Sequence, residues 1–358
     1  MSSKPLIFVI PGDIATISGG YGYDRRLIEG LRAMGKNVNL VSLGSSFPNP
    51  TPEDALDAAK KLAALPIDCI AVIDGLAFGA LDSKVLSEIR ASLVALIHHP
   101  LAFEGDLSPE TREHLLQNER ENLKRASRVI VTSPSTAKLL EDRYDVPQKL
   151  ITIASPGSEA KKNSGNRAVP PLILSVGIQI PRKGHDVLLM ALAKISHLSW
   201  RAVIAGPVSN QAYGEKLIGM IEELGLSNRV ELAGEVSSLE LSRLYSEASI
   251  FALATRFEGY GMVFGEAMES GLPIVSCATG AVPDTVPGDA GILVQPENPE
   301  LFAEALESIL QDESLRANLS SASAAAGARL SSWEQSSALV CEVLDGLATV
   351  NSKRPDFL

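Results

Sequence analysis

Two glutamates, Glu258 and Glu266, stand with seven residues between them in FEGYGMVFGEAMESGLP (residues 257–273), around a glycine-bearing turn that opens a helix. The run before it, SIFALAT (249–255), has the length and apolarity of a strand, and GEAMES within it is made of helix formers. A strand, loop, helix junction aims unpaired backbone N–H groups and the positive end of a helix dipole into a crevice at the strand's carboxyl end, where a diphosphate can bind. Carboxylates beside an anion site make chemical sense when they accept hydrogen bonds from hydroxyls. The expected ligand therefore carries phosphates and hydroxyls together. The plainer alternative has Glu266 complementing the dipole from a first helical turn and Glu258 as a solvated loop residue.

Other residues could serve the same chemistry. In PRKGHD (181–186), Lys183 falls just before a helical pattern with apolar Val187, Leu188, Ala191, Leu192 and Ile195. A point cation there suits a diphosphate leaving group as its negative charge develops. His98 and His99 close the strand pattern SLVALIH and precede Pro100, so both lie at a carboxyl edge; a polar cap is the plain reading of either. A metal site is disfavoured, because no carboxylate or further histidine sits at a recognisable ligand spacing and no Asp-x-Asp triplet occurs. Gly19, Gly20 and Gly22 follow the first strand and precede a helix expected over 23–34, where backbone passes close to phosphate or sugar. A dinucleotide reading of these glycines wants an acidic residue about 20 positions on. None occurs between Glu29 and Glu53, which disfavours NAD. Tyr21 and Tyr23 have rings that could stack on a sugar, or simply pack.

These residues are spaced along an alternation of short apolar runs and amphipathic segments, the pattern of parallel sheets with crossover helices. The strand candidates are LIFVIP, VNLVSL, IDCIAVID, SLVALIH, RVIVTS and KLITIA, then PLILSVG, RAVIAG, RVELAG, SIFALA, PIVSC and GILV. Between the two sets lies GSEAKKNSGNRAVPP (157–171), polar and proline-ended, which reads as an interdomain linker. Each half is expected to be its own doubly wound α/β domain, 1–165 and 166–332. From Pro299 onward the chain reads as helical and rich in alanine.

The 358 residues, 45% of them hydrophobic, suffice for two ordinary cores. No apolar stretch approaches the roughly 20 residues of a spanning helix, and MSSKPLIFVIPGD runs from a polar start into a strand, so a cytoplasmic protein is expected. Cys69, Cys277 and Cys341 are far apart and suggest neither disulfides nor structural zinc. The net charge of −11 is uneven: residues 1–170 hold 20 Lys+Arg against 20 Asp+Glu, leaving 12 against 23 beyond. An acidic chain without a basic stripe is not expected to bind nucleic acid. Arg112, Arg120, Lys124, Arg125, Arg128, Lys138, Arg143 and Lys149 make one segment locally basic, as in enzymes that sit peripherally on the inner face of a membrane. The interleaved Glu110, Glu113, Glu119 and Glu121 favour an ordinary solvated helix instead.

Read with its neighbours, FEGYGMVFGEAMESGLPIVSCATGAVPDTV closely resembles the family 4 retaining glycosyltransferases, whose E-x7-E motif takes this form. The resemblance extends to LSVGIQIPRKGHDVLLMAL and LAGEVSSLELSRLYSEASIFALAT, covering the C-terminal half. In the N-terminal half it rests on SGGYGYDRRLIEGL and LIHHPLA. It implies the GT-B fold, two Rossmann-like doubly wound domains facing a central cleft. Residues 1–165 would then bind the acceptor, completed by a last helix at about 333–358, and residues 166–332 would bind a nucleotide-diphosphate sugar. The implied activity is retaining, metal-independent sugar transfer to a glycan, lipid or small-molecule acceptor, with no cofactor. The resemblance gives catalytic roles to His98, Glu258 and Lys183, with His98 orienting the donor sugar, Glu258 taking its hydroxyls and Glu266 the ribose. Donor contacts would come from Gly20, Arg182, Gly234, Val236, Gly261, Met262 and Val263 as well. Gly19, Tyr21, Tyr23 and His99 would face the acceptor. One departure is Gly177-Ile178, where many members have Gly-Arg; either Arg182 compensates or the donor binds more weakly. A non-catalytic nucleotide-sugar sensor or partner subunit is the alternative.

Overall fold

The computed structural model describes residues 4–105, 107–158 and 167–349. The chain divides into two compact units, one of Met1–Gly157 with Ser331–Leu358, the other of Ser158–Leu330. Unit 1 runs β1 (Leu6–Pro11), α1 (Gly19–Ala33), β2 (Val38–Leu43), α2 (Pro52–Ala63), β3 (Ile70–Asp74), α3 (Gly75–Ala80), α4 (Ser83–Glu88), β4 (Ser92–Ile97), α5 (Pro109–Leu123), β5 (Arg128–Val131), α6 (Pro134–Tyr144) and β6 (Ile151–Ile153). Unit 2 runs β7 (Leu172–Val176), α7 (His185–Lys194), β8 (Arg201–Ala205), α8 (Gln211–Glu223), β9 (Val230–Gly234), α9 (Ser238–Glu247), β10 (Ala248–Leu253), α10 (Met262–Glu269), β11 (Ile274–Cys277), α11 (Val282–Thr285), β12 (Gly291–Val294), α12 (Pro299–Gln311) and α13 (Glu313–Gly327). A final helix, α14 (Trp333–Thr349), belongs to unit 1.

Each unit is a six-stranded parallel sheet, ordered β2-β1-β3-β4-β5-β6 in the first and β12-β11-β10-β7-β8-β9 in the second. Strands covered by helices on both faces must be apolar throughout, and β1, β3 and β7 are buried at every position. β2, at an edge, is buried only at its ends, Val38 and Leu43, with Asn39, Leu40 and Ser42 turned to water. In both sheets the order reverses beside the first strand, between β1 and β3 and between β10 and β7. The crevice outside the carboxyl ends at such a reversal is where open α/β sheets bind ligands.

The strands lie where the apolar runs place them, and the first helix does not. It begins at Gly19, four residues before the expected start, because Ser18 caps it by accepting from the Tyr21 N–H. Gly19, Gly20 and Gly22 are therefore helical, and an early helix outweighs the low helix propensity of glycine. The unit boundaries fall at 157/158 and 330/331, where the sequence suggests 165/166 and 332/333. Residues 159–166 of the polar linker stretch lie outside the described residues.

Close helix contacts explain two further glycines. A Cβ on Gly30, in the last turn of α1, would overlap the Ser337 side chain of α14, so glycine lets these helices touch. Gly327 does the same where α13 crosses the backbone of Met268 and Glu269 in α10. α14 is tied further to unit 1 by the ion pair of Asp345 with Lys36, just after α1, and by Lys4 Nζ, before β1, donating to Leu347 O at 3.0 Å.

Buried polar groups on α5 tie it to its neighbours. Asn122 donates to Phe78 O and Leu81 O, while Glu119 accepts from the Leu101 N–H at 3.1 Å and so anchors the turn that follows His98-His99-Pro100. Burial pushes the Glu119 carboxyl up to about 8, against the opposing Leu101 and Tyr144 hydrogen bonds. The basic residues of this region are largely engaged with neighbours: Arg120 with Asp145, Lys124 with Glu121, Lys138 with Asp142, and Arg112 with Ala102 O. Such pairing fits the solvated-helix reading. No described helix is long and apolar enough to cross a membrane.

Gly30→Ala should destabilise the protein by about 1–3 kcal/mol through overpacking against Ser337, seen as an earlier midpoint in urea unfolding. A carboxyl whose folded pKa is raised stabilises the fold below its unfolded pKa, and that contribution is lost as pH rises through the folded value. For Glu119 this window runs from the usual 4.5 to about 8. Glu119→Gln should therefore flatten the fall of melting temperature between pH 5 and 9; an unchanged slope would show that Glu119 titrates normally.

Candidate functional site

Unit 2 assembles its polar residues at the β10/β7 reversal. After β7 the chain passes through Gly177 and Ile178 into a single 3-10 turn, Pro181–Lys183, and enters α7 at Gly184. Gly184 is left-handed, with φ +64°, and a Cβ there would overlap the carbonyl oxygen of Ala254. Only glycine lets this loop close on the end of β10. The Lys183 stem then lies across Gly177, and its Nζ reaches Glu258 Oε1 at 2.6 Å.

Glu258 stands in the loop after β10, 4% exposed. It is not a solvated loop residue. Besides Lys183, the Thr255 hydroxyl donates to its Oε1 at 3.0 Å, and Arg182 lies 3.9 Å from its Oε2 while donating to Phe257 O. Burial pushes the Glu258 carboxyl up, but the Lys183 and Arg182 charges with the Lys183 and Thr255 hydrogen bonds outweigh it and hold the group below the usual carboxylate range. Its backbone is fixed too: Ala281 N donates to Glu258 O at 2.9 Å, and Gly280, with φ +51°, comes so close that a side chain would overlap that carbonyl.

The helix α10 starts next to this pair. Gly261 caps it in the left-handed region, φ +81°, with Phe264 packed where a side chain would be. Met262 and Val263 form the first turn, whose N–H groups point out of the helix end. Glu266 is the fifth helical residue, so the first-turn dipole alternative does not describe it. Its carboxylate is beside the Tyr245 hydroxyl, whose pKa burial and then Glu266 drive far up. Gly234 ends β9 and Val236 follows it, partly buried against the core.

Arg256 links the two loops. Its N–H donates to Arg182 O at 2.8 Å, and its guanidinium bonds Pro181 O, Asp186 Oδ1 at 3.0 Å and Glu297. Asp186 in turn accepts from Tyr213 and Lys216. Burial raises its carboxyl, and the Arg256, Lys216 and Tyr213 hydrogen bonds more than reverse this, holding it well below the usual range. Thr255, Arg256 and Asp186 have no sequence signal of their own, since their role is to join segments that are distant in the chain.

Unit 1 gathers a second polar group at its β1/β3 reversal. His98 follows β4, and its Nε2 lies 3.0 Å from Asp24 Oδ1 on α1 and 3.5 Å from Asp74 Oδ2 at the end of β3. Asp24, Asp74 and His98 bring their polar atoms within 4.8 Å of one another, though each comes from a different element of the chain. Sequence spacing thus misses both carboxylates beside His98. The 3.0 Å Asp24 contact is that of an imidazole N–H with a carboxylate, and Asp74 adds a second carboxylate at 3.5 Å from the same nitrogen. Burial lowers the His98 pKa and the two aspartates raise it, with a net increase. Burial and Asp24 push Asp74 up to about 7.

Gly20 lies against His98, where a Cβ would come within 3.2 Å of Cδ2, and Gly19 is exposed at the helix start with open space beside it. Tyr21 donates to Pro11 O at 2.8 Å and stays half-buried. Tyr23 has no face for a ligand: it is 1% exposed, donates to Ala154 O and packs edge-on against His98 and Trp333. His99 bonds Glu104 at 2.5 Å.

Residues 158–325 match a family described as glycosyl transferases group 1. The curated D-inositol 3-phosphate glycosyltransferase of a Nocardioides species is 28% identical over 276 residues, covering 70% of this chain and 60% of that protein. One from a Mycobacterium species is 30% identical over 234 residues, covering 62% and 52%. The chain thus spans between half and two thirds of the length of these relatives. Among solved structures, sucrose-phosphate synthase from Thermosynechococcus elongatus superposes with a TM-score of 0.80 at 21% identity, covering 96% of this chain and 99% of that one. Anabaena HepE, solved with UDP and glucose, gives 0.74 at 18% identity, covering 94% and 99%. At these identities the structural likeness is one of fold, the α/β class called GT-B with two Rossmann-like units. Lys183, Glu258 and Glu266 all fall within residues 158–325, the segment that is similar to the glycosyl transferases group 1 family.

Proposed function

We propose that this chain is a retaining, metal-independent glycosyltransferase that moves a sugar from a nucleoside-diphosphate sugar to a hydroxyl acceptor. The observation that carries it is the buried Lys183–Glu258 pair at the β10/β7 reversal, beside the start of α10. In this reading the diphosphate lies against the first-turn amides of α10 with Lys183 and Arg182 as its cations, which stabilise charge as the phosphate departs. Glu258, already neutralised by Lys183, accepts hydroxyls of the sugar, and Glu266 accepts those of the ribose.

Retention needs either a covalent intermediate or attack from the face the phosphate leaves. Glu258 is a poor nucleophile for the first, since Lys183 and Thr255 occupy its Oε1. The second suits this site: the acceptor hydroxyl bonds to the anomeric carbon as the carbon–oxygen bond to phosphate breaks, and the departing phosphate oxygen takes the hydroxyl proton. Two cations and a helix terminus supply the charge that a divalent ion would otherwise supply. HepE structures hold UDP or UDP-glucose, which puts UDP-sugars first among donors to try. The relatives' name puts a phosphorylated polyol first among small acceptors, beside glycans and lipids.

Release of nucleoside diphosphate from UDP-, GDP- and ADP-sugars should occur for one donor in the presence of an acceptor, survive EDTA, and give a product of retained anomeric configuration by NMR. Lys183→Ala and Glu258→Ala should each lower kcat/KM by about 100-fold or more. Donor binding without turnover under any acceptor would make the chain a sensor, and loss of turnover in EDTA would overturn the metal-independent reading. Gly184→Ala should reduce donor affinity and turnover together, because the loop carrying Lys183 could no longer close on β10.

A further inference from the structure

Asp24 is an expensive residue to keep where it is. It sits inside α1, 0% exposed, and a buried carboxylate costs several kcal/mol unless it is paired. Asp74 has a local reason to exist, since it caps α3 by accepting from the Leu76 N–H at 2.9 Å. Asp24 has none. Its Oδ1 meets His98, and its Oδ2 has no hydrogen-bond partner among the described residues.

The His98 ring is held from several directions. Asp24 and Asp74 face Nε2, Tyr23 packs edge-on at 5.2 Å with an interplanar angle of 77°, and Gly20 leaves just enough room for Cδ2. Tyr23 is itself fixed by Ala154 O and Trp333, and the His98 carbonyl accepts from Thr132 at 3.3 Å. We propose that Asp24, assisted by Asp74, is a positioning residue that fixes the His98 imidazole with its Nε2 proton directed inward and leaves Nδ1 as the atom that meets ligand.

The consequence is chemical as well as steric. A neutral imidazole with its proton on Nε2 offers Nδ1 as an acceptor, and the imidazolium offers it as a charged donor. The groups that face the ring set which form is present. On α1 they are Asp24 and the Tyr21 and Tyr23 phenols, and at the end of β3 Asp74; Thr132 after β5 contributes no charge. Both aspartates favour the imidazolium and burial opposes it, with the aspartates prevailing. Unit 1 would thus meet a hydroxyl-bearing ligand with a charged donor on a fixed ring. The ligand class rests on the transferase reading above; the fixed ring does not.

The test follows the five histidines by imidazole NMR across pH 5–9, with His98 assigned through His98→Gln. Wild-type His98 should titrate above the usual 6.5. In Asp24→Asn it should drop by about one unit or more, because burial is then less opposed. The alkaline limb of kcat/KM against pH should move down with it, so that the variant loses about tenfold at pH 8 and recovers most of that at pH 6. Should Asp24→Asn fail to fold, Asp74→Asn retains a capping oxygen and should shift the same titration in the same direction. An ordinary His98 titration in the wild type, or one unmoved by either substitution, would overturn the proposal. A displaced titration that moves in the variants of a protein without turnover would uphold it and overturn the enzymatic reading instead.

Discussion

A carboxylate taken out of water has to be neutralised where it stands, and in unit 2 that requirement is met by bringing Lys183 from the loop after β7 to Glu258 in the loop after β10. Those loops belong to neighbouring strands of the sheet, yet the two side chains are 75 residues apart in the chain. Their approach demands that each loop be closed tightly on the other. Gly184 makes room for the Ala254 carbonyl and Gly280 for the Glu258 backbone. Arg256, held by Asp186 and Glu297, bridges the loops from behind. A bidentate guanidinium suits this task because its planar fork fixes both distance and orientation. The site geometry is thus a consequence of satisfying one buried charge, and the glycines and Arg256 are the conditions under which the chain can do so.

The residues legible in the sequence are those whose meaning is local. Glu258, Gly261 and Glu266 announce themselves because a strand, a turn and a helix start follow one another within one short stretch, and Lys183 because it precedes a helix. The strands are equally plain, since a strand buried on both faces needs an unbroken apolar run. What escapes a reading of the sequence is what folding assembles from a distance. Asp24 carries no motif and Asp74 only the local role of capping α3; that both face one ring is visible only once α1 and the end of β3 meet at His98. Tyr23 is open to two readings, and its burial among His98, Trp333 and Ala154 is set by α14, from the far end of the chain. The start of α1 does have a local signal, the Ser18 cap, which the run of glycines obscures.

The two reversals differ in charge in a way that bears on their ligands. The one in unit 2 holds two cations, Arg182 and Lys183, against the buried Glu258 and the partly buried Glu266, and adds the start of α10, whose first-turn N–H groups favour a phosphate. The one in unit 1 holds two buried carboxylates and a single imidazole. Coulomb repulsion at the short distances involved would make a diphosphate costly in unit 1. That contrast is the reason the proposed function gives the diphosphate to unit 2 rather than to unit 1.

The same electrostatics bear on the missing arginine at Ile178. The family resemblance leaves two outcomes, compensation by Arg182 or weaker donor binding, and the structure supplies a reason to favour the first. Arg182 is drawn inward by Phe257 O and stands 3.9 Å from Glu258 Oε2, with only 13% of its side chain exposed. An arginine at the surface would lose side-chain entropy on meeting a phosphate, whereas one already held beside Lys183 loses less. Its guanidinium also remains close enough to Glu258 to keep that carboxylate ionised if Lys183 turns toward a phosphate. On the proposed function, two cations sharing one carboxylate would let either serve the ligand without stranding the buried charge, and a single lysine in this position would not.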